Sequence, residues 1–232
     1  MPLNWKLLLA VGVEILYMIS TRSWLNEFAD GIELELYITG VRLLTAAIYW
    51  ALFRDIILHR PVKNVSFQSP MLWIGIGAVC LVPILVGNWG LSGYKTQFVF
   101  ALTSIAVGIR EEILYRGVLQ TLIEKRLGWI WAIVLSNVVF TLYHYGAWEF
   151  TTSKVLELFF VGCFLGLLYR GTGSLIIAIV FHSIYDAIWC FTPYMEKPWH
   201  WAWGSVMQIL AAALIFFWVL SLIGPNKKMQ LD

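Results

Sequence analysis

The residues of this chain best suited to proton-transfer chemistry lie in three apolar stretches of its second half. The run Gly108-Ile-Arg-Glu-Glu-Ile-Leu-Tyr-Arg-Gly117 carries Arg110, Glu111, Glu112 and Arg116; a second stretch carries Phe140 and His144; a third carries His182 and Asp186. A charged side chain at the centre of a bilayer costs about 2.5 to 3.5 kcal/mol even on the gentlest scales, so such a set in one small protein calls for a common cause. The reaction these groups suit is hydrolysis, with a carboxylate drawing a proton from water while imidazoles orient that water or stabilise the oxyanion. The chain has no Gly-x-Ser-x-Gly, no His-Glu-x-x-His and no cysteine placed beside a histidine, which leaves a covalent mechanism little support.

Spacing divides the labour. On a helix a step of one residue turns about 100°, and a step of four nearly returns to the same face. Glu112 is therefore expected to pair with Arg116 as structural support, while Glu111 points elsewhere and is the candidate catalytic carboxylate. The same spacing sets Phe140 under His144 and places His182 on one face with Asp186. Two histidines and carboxylates on separate helices also form a donor set for zinc, whose bound water would then be the attacking group.

These residues need helices that lie in a membrane. Of the 232 residues, 60% are hydrophobic and 13% charged, with a mean hydropathy of +0.76, against about 25% charged in a soluble domain. Windows of about 17 to 25 apolar residues fall at 5–21, 36–58, 71–91, 99–121, 128–148, 155–170, 174–192 and 204–223. The expected fold is all-α, a polytopic membrane protein built as a bundle of about eight transmembrane helices. Residues 1–232 form a single membrane domain, and 99–192 are its motif-bearing core. The start of the chain reads as an uncleaved first span, because Glu14 interrupts the apolar run and no small-x-small site follows. Cys80, Cys163 and Cys190 lie singly in apolar stretches and read as packing residues. Trp199, Trp201 and Trp203 crowd one connection, as an interfacial belt would.

Lys and Arg in short loops favour the cytoplasmic side. The N-terminus, the even-numbered loops and the C-terminus hold Lys6, Arg54, Arg60, Lys63, Lys125, Arg126, Arg170, Lys227 and Lys228, whereas the odd-numbered loops hold Arg22, Lys95, Lys154 and Lys197. Both termini are thus expected in the cytoplasm, with the polar cluster nearer the outer leaflet. A net charge of +2 and scattered basic residues exclude nucleic acid as a partner. Glu14 and Arg42 read as an ion pair between the first two spans or as groups that snorkel to an interface, without chemistry of their own.

The ordered set Glu111-Glu112-x-x-x-Arg116, Phe140-x-x-x-His144 and His182-x-x-x-Asp186 resembles the CPBP family of intramembrane endopeptidases, which includes CAAX prenyl endoproteases and bacteriocin-processing or immunity proteins. The resemblance implies an intramembrane endopeptidase that cleaves a membrane-anchored, lipidated or sorting-signal-bearing protein, with membrane lipids and that substrate as partners. It implies that Glu111 and His144 activate water, that Glu112 and Arg116 hold their helix, and that His182 belongs to the oxyanion site. The family commonly has Asn where this chain has Asp186, and an ionised aspartate repels an oxyanion; the role expected for Asp186 is to orient His182 as an acceptor. A metal-free glutamate mechanism is favoured, with zinc on Glu111, His144 and His182 as the alternative. By family analogy the chain is placed in a prokaryotic cell membrane. Two other classes use the same residues: a small proton-coupled transporter or channel, whose expected repeats are not evident here, and a non-catalytic immunity or scaffold member of the same fold.

Overall fold

A computed structural model describes residues 2–22, 31–58, 94–145 and 152–191. Among these, the chain is helical with short connections and has no strand. Helix α1 is Leu3–Arg22 and α2 is Gly31–Leu58. Helix α3, Tyr94–Glu111, runs directly into a π-helical stretch, Glu112–Gln120, and then into α4, Thr121–Leu127. Helices α5, Trp129–Tyr143, α6, Thr152–Thr172, and α7, Leu175–Phe191, complete the order. The expected spans 71–91 and 204–223 and the tryptophan-rich connection lie outside the described residues.

The sequence explains where these helices stop. Gly128 ends α4 at φ +83°, a left-handed conformation that glycine adopts without steric cost. Gly173 does the same at φ +66°, and its amide donates to the Tyr169 carbonyl at 2.8 Å, so α6 turns into α7 within two residues. Thr172 Oγ1 accepts from the Ser174 amide at 3.0 Å across that turn.

Helices α1 and α2 are long and apolar enough to cross a membrane, over Leu3–Thr21 and Gly31–Leu58; α5, much of α6 and α7 are shorter apolar helices. Large apolar side chains such as Leu16, Leu44 and Ile176 point outward, an arrangement suited to hydrocarbon, where each helix satisfies its own backbone. Two apolar clusters fill the inside. One joins α1, α2 and the π-helical stretch through Ala10, Ala46, Tyr49, Phe53, Ile57, Ile113 and Val118. The other joins α5, α6 and α7 through Ile133, Val161, Phe164, Leu165, Leu167, Leu168 and Tyr185. Helices α3 and α7 meet at small residues: Gly108 lies directly against Ser183, and Ser104 Oγ donates to the Ser183 carbonyl at 3.0 Å. Small side chains there let the two backbones approach.

One expected pairing is overturned. Glu14 does not meet Arg42. Arg42 donates to Glu35 at 2.5 Å, and Glu35 also accepts from Thr103 Oγ1 at 2.7 Å. Glu14 instead accepts from Arg110 and from the Tyr49 hydroxyl. A buried cation takes the nearest carboxylate that geometry allows. Glu35, two helical turns before Arg42 on the same helix, is within its reach, which leaves Glu14 for the cation on α3.

Candidate active site

The two adjacent glutamates sit where the backbone changes type: Glu111 ends α3 and Glu112 begins the π-helical stretch. Stretches of π-helix are rare and recur at functional sites. Here the wider turn carries Glu112, Tyr115, Arg116 and Gln120, all buried. Thr121 Oγ1 closes it by donating to the Arg116 carbonyl five residues back, at 3.1 Å.

Arg116 sits at the structural end of the cluster. Its Nη1 is 3.1 Å from Glu112 Oε1, and both side chains are fully buried. Its Nη2 donates to the Gly162 carbonyl at 3.0 Å and to Asn137 Oδ1 at 3.3 Å, tying the π-helical stretch to α6 and α5. The guanidinium carbon lies 4.8 Å from the centroid of the Phe140 ring. Phe140 in turn lies 4.7 Å from the His144 ring and 6.2 Å from the His182 ring. It therefore separates the cation from both imidazoles, a wider part than packing under His144.

Both imidazoles have one nitrogen committed. His144 caps the end of α5, and its Nδ1 donates to the Phe140 carbonyl at 2.8 Å. His182 lies on α7, and its Nδ1 donates to Glu112 Oε1 at 2.7 Å. Each Nε2 is then turned toward Glu111, at 4.0 Å from Oε2 for His144 and 3.8 Å for His182. Glu111 Oε2 is buried and has no hydrogen-bond partner among the described residues. A buried carboxylate oxygen without a direct partner is costly; the lack of a hydrogen bond to either imidazole sets Glu111 apart from Glu112 in this cluster.

Asp186 sits at the edge. Its Oδ2 is 3.5 Å from His182 Nε2, and its side chain is 29% exposed. Glu112 makes the short hydrogen bond to His182, at Nδ1, while Asp186 stands near the other ring nitrogen. Glu112 thus serves two partners, Arg116 and His182, where spacing along one helix pointed only to Arg116. A partner on another helix leaves no trace in i,i+4 spacing. Asn137 and Gly162, which receive Arg116, are further supports of the cluster. The Ser136-Asn137 pair inside an apolar helix was the signal for the first, since amides in such helices serve as interhelical contacts; nothing marks Gly162 until its neighbours are known.

Zinc ligands held tetrahedrally at about 2.0 to 2.1 Å lie roughly 3.3 Å apart. The separations of 3.8 and 4.0 Å from Glu111 to the two imidazoles are wider. Among the described residues no three His, Cys, Asp or Glu side chains converge closely enough to hold a metal. The cluster as it stands does not fit zinc.

Residues 94–188 match the family model described as type II CAAX prenyl endopeptidase Rce1-like. No curated protein and no solved structure matches the chain. The matched stretch begins at the first residue of α3, ends within α7, and contains every member of the cluster from Arg110 to Asp186. Over residues 94–188, which carry the whole cluster, this chain is accordingly similar to the type II CAAX prenyl endopeptidase Rce1-like family.

Proposed function

We propose that the chain is an intramembrane endopeptidase of the CAAX type in which Glu111 is the general base. The family match supports a membrane peptidase in general terms. The mechanism rests on one observation: a buried Glu111 oxygen without a hydrogen-bond partner faces the Nε2 atoms of His144 and His182 at 4.0 and 3.8 Å. These gaps are too long for direct hydrogen bonds, yet one water about 2.8 Å from each group spans them.

In this reading the water gives a proton to Glu111 as its oxygen attacks the peptide carbonyl. His144, its Nδ1 fixed by the Phe140 carbonyl, orients that water through Nε2. His182, as imidazolium, donates from Nδ1 to Glu112 and from Nε2 to the oxyanion. Glu111 then passes its proton to the leaving amine, so one water and one peptide bond become an acid and an amine. No step passes through a metal. The substrate is a membrane-anchored protein or peptide whose scissile bond reaches the cluster between the helices. A bundle of about eight spans, a single membrane domain over 1–232 and cytoplasmic termini belong to the same proposal.

The test compares protein termini in membranes and secreted fractions of cells carrying wild type or Glu111→Gln at matched expression. An amide cannot act as a base, and loss of a general base is expected to slow cleavage about 10²- to 10⁴-fold. Termini present only with wild type would identify the substrate. Identical profiles with both proteins expressed would remove the protease reading and return attention to a transporter or scaffold.

A further inference from the structure

Three successive side chains leave the helix at residues 110, 111 and 112, about 100° apart, and each meets a different part of the bundle. Glu112 meets Arg116 and His182, and Glu111 faces His144 and His182. Arg110 turns the other way, toward α1 and α2. Its side chain is 1% exposed, and its Nη2 donates to Glu14 Oε1 on α1. The second oxygen of Glu14 accepts from the Tyr49 hydroxyl on α2. The guanidinium carbon stands 3.6 Å from the centroid of the Tyr17 ring and 5.2 Å from that of Tyr143. Arg110 Nε and Nη1 have no hydrogen-bond partner among the described residues, so the grip on this cation comes from Glu14, the two rings and the adjacent Tyr49 hydroxyl.

Glu14, Tyr17 and Tyr49 all lie outside the stretch that the family model matches. Taking Glu111 as the general base, we propose that Glu14, seated by Tyr49, is a positioning residue for the reaction: by holding Arg110 it fixes the rotation of α3 and thereby the aim of the neighbouring Glu111 carboxylate. The lever is short. A carboxylate about 5–6 Å from the helix axis moves about 1 Å when the helix turns by 10°, and a misplacement of that size costs about 100-fold in rate. Glu112 restrains the same helix from the α7 side, so Glu111 is aimed between two clamps, of which the family stretch supplies one and the N-terminal helices the other.

The full chain in lipid nanodiscs is assayed on the substrate found by the terminal comparison, as wild type, Glu111→Gln, Glu14→Ala, Glu14→Gln and Tyr49→Phe. Glu14→Ala is expected to lower kcat about 10- to 100-fold with KM within about twofold of wild type. Glu14→Gln, whose amide oxygen still accepts from Arg110, restores most of that loss. Tyr49→Phe, which leaves the ion pair in place, lowers kcat about 2- to 5-fold at unchanged KM and unchanged unfolding midpoint. A merely structural role would lower the folded fraction without this split between kcat and KM. Wild-type kcat in folded Glu14→Ala overturns the inference, as does a loss that only tracks misfolding. Should Glu14→Ala fail to fold, Tyr49→Phe decides: an unchanged kcat overturns, a lowered one supports. If wild type and Glu111→Gln behave alike, the general-base reading falls and takes this inference with it. If only Glu111→Gln is inactive and Glu14→Ala is not impaired, this inference alone falls.

Discussion

His182 has a carboxylate near each ring nitrogen, Glu112 hydrogen-bonded at 2.7 Å from Nδ1 and Asp186 3.5 Å from Nε2 without a hydrogen bond. The two contacts differ in what their loss would leave behind. Glu112 is fully buried against Arg116, so Glu112→Gln strands a buried guanidinium without its counter-charge and leaves His182 with a weaker acceptor. It is expected to destabilise the protein by about 3 kcal/mol and to lower cleavage sharply, read by thermal unfolding in detergent and by the peptidase assay. Asp186 is partly exposed and makes no hydrogen bond to the imidazole, so Asp186→Asn, the isostere, is expected to keep kcat/KM within about threefold of wild type. An equal loss in both variants would give Asp186 the orienting role that the sequence suggested. At this scale the sequence exposes the ionisable groups, because charge in apolar stretches is costly and therefore conspicuous. It does not expose which groups meet across helices: the Glu112–His182 and Glu14–Arg110 contacts each join residues far apart in the chain.

At the scale of elements, the apolar windows locate the described helices to within a few residues, with one systematic difference. The expected span 99–121 is the middle of a longer rod, from Tyr94 through the π-helical stretch to Leu127. Hydropathy marks only the part that lipid or core demands; the flanking segments 94–98 and 122–127, which carry Lys95, Gln97, Glu124, Lys125 and Arg126, stay helical because nothing breaks the chain before Gly128. Glycines separate the two uses of small residues. At Gly162 an added Cβ would collide with the Asn137 amide and come within 3.2 Å of the Phe140 ring. The Gly162 carbonyl is also where Arg116 docks. Gly162→Ala should push α5 and α6 apart, cost about 1–3 kcal/mol, and reduce cleavage through Arg116. At Gly40, in the interior of α2, nothing lies within 4 Å of such a Cβ. Gly40→Ala should raise stability by about 0.5–1 kcal/mol and leave cleavage unchanged. Unfolding midpoints of the two variants against wild type check the contrast; a stabilised Gly162→Ala would show that α5 and α6 are not held at the distance described.

Across the whole molecule, charge and depth together bear on which side of the membrane the cluster serves. Lys6 pairs with Asp55 at 3.1 Å, joining the start of α1 to the end of α2, and Arg170 pairs with Glu124, joining the end of α6 to α4. Gly117 lies against Ile57 and Leu175, which brings the end of α2, the π-helical stretch and the start of α7 to one level. Lys6, Arg54, Lys125, Arg126 and Arg170 therefore gather at a single end of the described bundle, the end that the proposed topology, resting on the bias of Lys and Arg, would put in the cytoplasm. His144 closes α5 at the opposite end, about 22 Å along the helix from Trp129 at 1.5 Å per residue. With that end in the cytoplasm, the proposed orientation would put the cluster toward the outer leaflet, within reach of the tails of exported or sorted proteins rather than of cytosolic prenylated tails. In a background with Cys80, Cys163 and Cys190 replaced by Ala, Tyr145→Cys, at a residue that is exposed beside His144, should react with a membrane-impermeant maleimide on intact cells. Lys125→Cys, on the exposed end of α4, should react only after permeabilisation. The reverse pattern would invert the chain in the membrane, open the Glu111 cluster to the cytoplasm, and make prenylated cytosolic proteins the first substrates to try.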